Sequence, residues 1–276
     1  MLSASERRYV LEHAYVPEHL VHYFTAISRM EPFLIEDCIC YVREGWVNLI
    51  AYPISSPPGD SHPEEVLEKA VRRFKPTRVA VISPMTIEVE PLAILERGSD
   101  FYYLLELENL SLSKKLRSGI RSASKRLEVK EGEFGEEHLR LVKGFFERGV
   151  EERVKELFLR LPAYASLSEP LLLEARLHDT LVAFSIFDFS SRFAFYMFNF
   201  ISRRSYAPGA SDLLLYHGIQ RALAEGKPLM NLGLGIHRGI ARFKEKWGAK
   251  RWLRHEFLVY DCELASVAAC YRRMGI

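Results

Sequence analysis

The chain has 276 residues, 48% of them hydrophobic and 27% charged, a globular composition with length enough for two lobes. A formal net charge of +2 exerts no global pull on nucleic acid or an anionic membrane, so any polyanion site has to be a local patch. No apolar run reaches the roughly 20 residues of a membrane helix, and Met1 to Arg8 lack a signal-peptide core, so a soluble cytoplasmic protein without an integral membrane segment is expected.

In chain order, residues 6–27 read as helix with a break near Pro17. Cys38 to Val42 and Trp46 to Tyr52, on either side of Glu44-Gly45, read as a hairpin. The proline-rich stretch 53–63 is a loop, with Ser61 as a candidate cap for a helix over 64–74. Val66, Leu67, Ala70, Val71 and Phe74 form the apolar stripe of that helix, and Pro76 ends it. Val79 to Ile82 and Phe101 to Leu107 read as strands. A new unit begins near Asn109, giving expected lobes of 1–110, joined by 262–276 if the last helix (263–274) crosses back, and 111–261.

In the second lobe Ser113 caps a helix over 114–127, whose apolar residues Leu116, Ile120, Ala123 and Leu127 share one face. One or two helices over 136–161 follow. Residues 171–176, 181–189 and 193–200 then form a β-meander that is apolar on both faces, which implies a sheet covered on each side. A loop at 203–211 leads to a helix that stops at Gly226, then a short strand from Leu229 to Gly233, a short basic helix ending at Gly248, and a last strand over 256–260. The first lobe has a fainter version of this order, without a residue-level repeat.

Three segments are candidates for chemistry. Gly209, Ala210 and Ser211 open a helix, where unpaired amides and the helix dipole favour phosphate; Arg203 and Arg204 precede them and suit a pyrophosphate. The competing reading is an ordinary helix start with Ser211 as its own cap. The run from Asn231 to Ala249 passes through a glycine-rich turn into Arg242, Phe243, Lys244, Glu245, Lys246 and Trp247. A lysine fixed beside a cleft stabilises charge developing on a carbonyl oxygen. Lys114, Arg117, Arg121 and Lys125 form a basic stripe suited to a phosphate backbone, or else a solvated helix face. His237 is a candidate proton shuttle and Tyr216 a candidate proton donor to a leaving group; Asp188, Tyr196 and Asn199 are further polar residues of the meander. Cys38, Cys40, Cys262 and Cys270 include no C-x-x-C pair and no completing histidine, so no metal site is expected and the thiols read as buried.

The segment Ser113 to Val129, with Gly209-Ala210-Ser211-Asp212-Leu213-Leu214, Ala224-Glu225-Gly226, Asn231-Leu232-Gly233 and Gly239 to Ala249, resembles FemX-like proteins and the cytosolic domain of phosphatidylglycerol lysyltransferases. The resemblance covers 101–252 well and the first hundred residues loosely. It implies an α+β fold of tandem lobes like those of the acyl-CoA N-acyltransferases (GNAT), with mixed sheets flanked by helices. It also implies transfer of an acyl or aminoacyl group to an amine, with Lys244 at the position of the lysine that stabilises the reaction intermediate. The donor implied is acyl-CoA or aminoacyl-tRNA, used as a co-substrate rather than a tightly bound cofactor. The acceptor implied is an amine on a small molecule, lipid or peptide. Arg204 precedes Gly209 by five positions where the GNAT pyrophosphate loop has three, a departure that counts against CoA. The alternative is a degenerate lobe pair that binds a ligand without turnover.

Overall fold

The computed structural model describes residues 1–55, 62–89, 92–147 and 149–263. Ser61, Cys270 and nearly all of the helix expected over 263–274 lie outside them. The chain divides into two compact units: Met1–Thr25, Arg29–Tyr102 and the chain from Arg251 form one, and Ala26–Ser28 with Tyr103–Lys250 form the other.

The N-terminal helix breaks at Pro17 as expected, into α1 (Ala4–His13) and α2 (Val21–Ser28), with a tight turn at Pro17–His19 between them. Ser3 and Glu6 form a capping box on α1: the Glu6 amide donates to Ser3 Oγ at 3.2 Å, and the Ser3 amide donates to Glu6 Oε2 at 2.7 Å. Strands β1 (Glu31–Ile35), β2 (Cys38–Arg43) and β3 (Trp46–Ile50) form an antiparallel meander. Helix α3 (Pro63–Phe74) then crosses to β4 (Arg78–Ser83), which runs parallel to β3 with all five β3 residues paired, Trp46 to Arg78 through Ile50 to Ile82. The order is completed by β11 (Lys250–Asp261) and β5 (Ala93–Glu106), which reads β1-β2-β3-β4-β11-β5. Val66, Leu67 and Ala70 of α3 pack with Val47, Leu49, Val79, Val81 and Leu258 in one core cluster, as the stripe predicts. Cys38 and Cys40 lie buried in the same cluster.

The second unit repeats that plan on a larger scale. Its order is β5-β10-β9-β8-β7-β6, with β6 (Glu128–Glu131), β7 (Leu171–Leu177), β8 (Thr180–Asp188), β9 (Ala194–Ile201) and β10 (Leu229–Leu234). From β6 to β9 the neighbours are antiparallel; β10 is parallel to β9 after the crossover helix α8 (Ala210–Ala224). Every residue of β8 after Thr180 is buried, so both faces are covered, as the doubly apolar strands require. One face stacks Phe184 on Phe200 (5.2 Å between ring centroids), with Phe145 of α5 (Glu136–Phe146) and Phe158 of α6 (Glu152–Phe158) edge-on to Phe200 at 5.9 and 5.7 Å; α7 (Leu161–Ser168) follows α6. The other face takes α8 so closely that a Cβ on Gly218 would stand 2.2 Å from the Phe187 ring. Helix α4 (Lys114–Ser124) begins at Ser113, whose Oγ accepts the Leu116 amide at 3.2 Å. Among the described residues no helix is long and apolar enough to cross a membrane.

Candidate active site

The parallel strand pair of the second unit is much shorter than that of the first. The parallel pairing of β9 with β10 covers only Ala194 with Met230 and Phe195 with Asn231; beyond these residues the two strands carry no register. The register of β9 against β8 also shifts here, Ile186 facing Phe198 while Phe187 faces Tyr196, so that Met197 is extra. A bulge at the parting of two strands turns side chains toward the gap and leaves backbone amides and carbonyls without a strand partner.

Around this parting stand the first turn of α8 and the short helix α9 (Arg238–Lys246). Gly209 is the N-cap of α8 with φ +85°, and a Cβ there would lie 3.0 Å from Ala123 Cβ of α4, so both conformation and packing require glycine. The Arg126 guanidinium donates to the Pro208 carbonyl at 2.9 Å and holds the preceding loop. The Ala210 amide donates to Ala207 and that of Leu213 to Gly209, which leaves those of Ser211 and Asp212 without an acceptor among the described residues. Ser211 does not cap its own helix; its Oγ accepts from Asn199 Nδ2 at 3.0 Å, and Asn199 Oδ1 accepts from Ser185 Oγ at 3.0 Å. Tyr196 is buried with its hydroxyl beside Ser185. Burial holds that phenol above its ordinary pKa, so it stays protonated.

Asp212 ties α9 to the first turn of α8. Its Oδ1 accepts from the indole of the buried Trp247 at 3.0 Å and pairs with Lys246 at 2.6 Å. The lysine-bearing segment and the turn after residue 200 are therefore neighbours in space. Lys244 is only 4% exposed, and its Nζ donates to the Leu234 carbonyl at 2.5 Å and lies 5.7 Å from the centroid of the Tyr103 ring. The end of β10 is shaped for it. Asn231 Oδ1 accepts the Gly233 amide at 2.7 Å, Gly233 takes φ +73°, and a Cβ at Gly233 would stand 3.7 Å from the Lys244 amine.

The other expected residues have surroundings of their own. His237 is exposed and is the N-cap of α9, its Nδ1 accepting from the Gly239 amide at 3.1 Å. Tyr216, half-buried on α8, lines a hollow with Arg117, Leu110, Leu112 and Leu223 whose described walls do not include Lys244. Arg203 and Arg204 line a different hollow, whose described walls include none of Gly209, Ala210 and Ser211. Lys114, Arg117, Arg121 and Lys125 are exposed on α4, whose buried face carries Leu116, Ile120 and Ala123. Asp188 is occupied structurally, accepting from Tyr164 at 2.8 Å and from the Ser190 amide at 3.0 Å. The tie through Asp212 and the ring of Tyr103 were not legible in the sequence. Only the tryptophan near the end of a basic helix hints that a buried indole needs an acceptor.

No protein-family model matches the sequence, and no curated protein matches it. Solved structures do. The C-terminal domain of a putative lysylphosphatidylglycerol synthetase from Agrobacterium fabrum is similar at TM-score 0.58 and 13% identity, over 92% of this chain and 90% of that one. FemX is similar at TM-score 0.61 and 10% identity, over 93% and 96%. A tandem GNAT protein from the clavulanic acid biosynthesis pathway is similar at TM-score 0.54 and 8% identity, over 92% and 93%. With the mixed sheets, flanking helices and parting strands described above, these likenesses establish that the chain has the α+β tandem GNAT-like fold shared by FemX and the lysylphosphatidylglycerol synthetase domain.

Proposed function

We propose that the protein transfers an acyl or aminoacyl group from a thioester or ester donor to an amine, by direct attack and at the parting of β9 and β10. The observation that carries this reading is the contrast between the two parallel pairs. β3 and β4 stay paired along five residues, whereas β9 and β10 separate after two, beside a buried lysine and a helix N-terminus. A parted strand pair admits an extended donor and offers its free backbone groups to it.

In this reading the neutral acceptor amine attacks the donor carbonyl carbon, forming the C–N bond and a tetrahedral oxyanion. Collapse breaks the C–S or C–O bond; the leaving group takes up a proton as the new ammonium loses one. Lys244, buried and donating to the Leu234 carbonyl, is the group that this reading assigns to the oxyanion, a preorganised donor in a water-poor setting.

Both donors remain arms of one test. Purified protein is incubated with a panel of acyl-CoAs and, separately, with mixed aminoacyl-tRNAs, together with lysine, aminated lipid and peptide amines, and amide products are read by mass spectrometry. Donor-dependent amide formation is expected. If tRNA is the donor, replacing Arg117 and Arg121 by Ala weakens its binding and flattens the steep salt dependence. Binding of either donor without any amide product would instead favour a lobe pair that holds its ligand and does not turn it over.

A further inference from the structure

We infer that the hollow between α4, α8 and the turn after β5 binds a free α-amino acid with an apolar side chain, Arg117 taking its carboxylate and Glu108 its ammonium group. The hollow measures about 390 Å³, within the range of small-ligand sites. Local structure shapes each wall. Tyr216, Ile219 and Leu223 stand three and four positions apart on α8 and so share one face of it. The turn after β5 is pinned where the buried Leu107 donates its amide to the Pro228 carbonyl at 2.9 Å, and the Leu110 amide donates back to Leu107 at 3.3 Å. Ser113 then caps α4, which fixes the turn from its other end.

Leu110, Leu112 and Leu223 give the hollow an apolar wall, and Leu223 is left 38% exposed there. Glu108 and Arg117 line the same hollow, both exposed. Neither side chain forms a hydrogen bond or ion pair with any described residue, and so they do not pair with each other. The Tyr216 hydroxyl is likewise without a partner among the described residues. Opposite charges that face one concavity without neutralising each other match a ligand that carries both signs. The guanidinium fork takes both oxygens of a carboxylate, the phenol donates to one of them, and Glu108 accepts from an ammonium group. A phosphate is a poorer occupant, because it satisfies Arg117 and is repelled by Glu108. A simple acid or a simple amine leaves one of the two charges unpaired. An α-amino acid carries both charges on one carbon and turns a single side chain to the leucines. The described walls include neither Lys244 nor any residue of β9 or β10, so amino-acid binding here does not depend on the proposed transfer.

Isothermal titration of the full chain with leucine, N-acetyl-leucine, leucinamide and aspartate tests it. Leucine is expected to bind the unaltered protein. N-acetyl-leucine lacks the ammonium group and leucinamide the carboxylate, so each is expected to bind about tenfold more weakly or worse, the factor for losing one charge-assisted pair. Aspartate, which sets a charged side chain against the leucines, is expected to bind more weakly than leucine. E108Q and R117A are each expected to weaken leucine about tenfold with an unchanged thermal midpoint, since both side chains are exposed. R121A, exposed on α4 but outside the described walls of the hollow, is expected to keep its affinity, which separates a site at Arg117 from a general loss of basic charge. No leucine binding, equal binding of either blocked amino acid or of aspartate, unchanged leucine affinity in E108Q or R117A, or an equal loss in R121A overturns the inference. K244A is expected to lose transfer and still bind leucine, so failure of the transfer reading and failure of this site are distinct results.

Discussion

At the residue scale, Lys244 is a buried lysine that donates to the Leu234 carbonyl at 2.5 Å and faces the Tyr103 ring, and burying an ammonium group is costly. Replacing it by Ala is expected to lower kcat/KM for amide formation about 100- to 1000-fold, as loss of one preorganised oxyanion donor does. Arg at this position should not restore the rate, since a planar guanidinium spreads its charge and places its donors differently from a compact ammonium. A K244A enzyme retaining full kcat/KM would remove this residue from the chemistry. Asp212 is a positioning residue. Its replacement by Ala leaves the Trp247 indole without its acceptor, and a destabilisation of about 2 kcal/mol is expected in urea titrations. Transfer should fall as well, through displacement of α9, and D212N should recover part of both because its amide oxygen still accepts from the indole.

At the scale of elements, the crossover helices were readable and the edges of the sheets were not. The stripe of α3 and the meander of β7 to β9 announce themselves through apolar spacing, and the structure has them. Strand β6 is the four polar-rich residues Glu128 to Glu131 at the end of its sheet order, and it gives no hydrophobic alternation to read. Strands β5 and β11 begin well before their apolar stretches, at Ala93 and Lys250, and the two are neighbours in the sheet order. The seating of α8 is similarly hidden. Gly218 sits in mid-helix, where glycine is unfavourable, because the Phe187 ring occupies the space of any side chain. Gly218→Ala is expected to destabilise by about 1–3 kcal/mol through overpacking, despite the better helix propensity of alanine. Equal or greater stability of that variant in a denaturant melt would show that α8 is free to shift.

At the scale of the whole molecule, stability is expected to fall with acid before carboxylates titrate. His19 is fully buried, its Nε2 bonded to the Tyr52 carbonyl at 3.1 Å, and burial lowers its pKa from 6.5 to about 3. Between those values the unfolded chain binds a proton that the folded chain refuses, so stability declines as pH falls from 6.5 toward 3, by about 1.4 kcal/mol per pH unit. His138, its Nε2 3.1 Å from Glu174, is shifted in the same direction mainly by burial and adds to that slope. Unfolding free energies measured from pH 7 to pH 4 check this, and H19Q should flatten the curve. From the sequence alone came the two-lobed α+β class, the meander followed by a crossover helix, the Phe243-Lys244 segment and the glycine-opened helix at 209. These are local signals, carried by spacing and by backbone chemistry within a few residues. Where β9 leaves β10, which hollow receives Arg203 and Arg204, and that Asp212 joins α8 to α9 were decided only by the folded chain. Those relations depend on residues tens of positions apart and on strand register, and no periodicity within a single element encodes them.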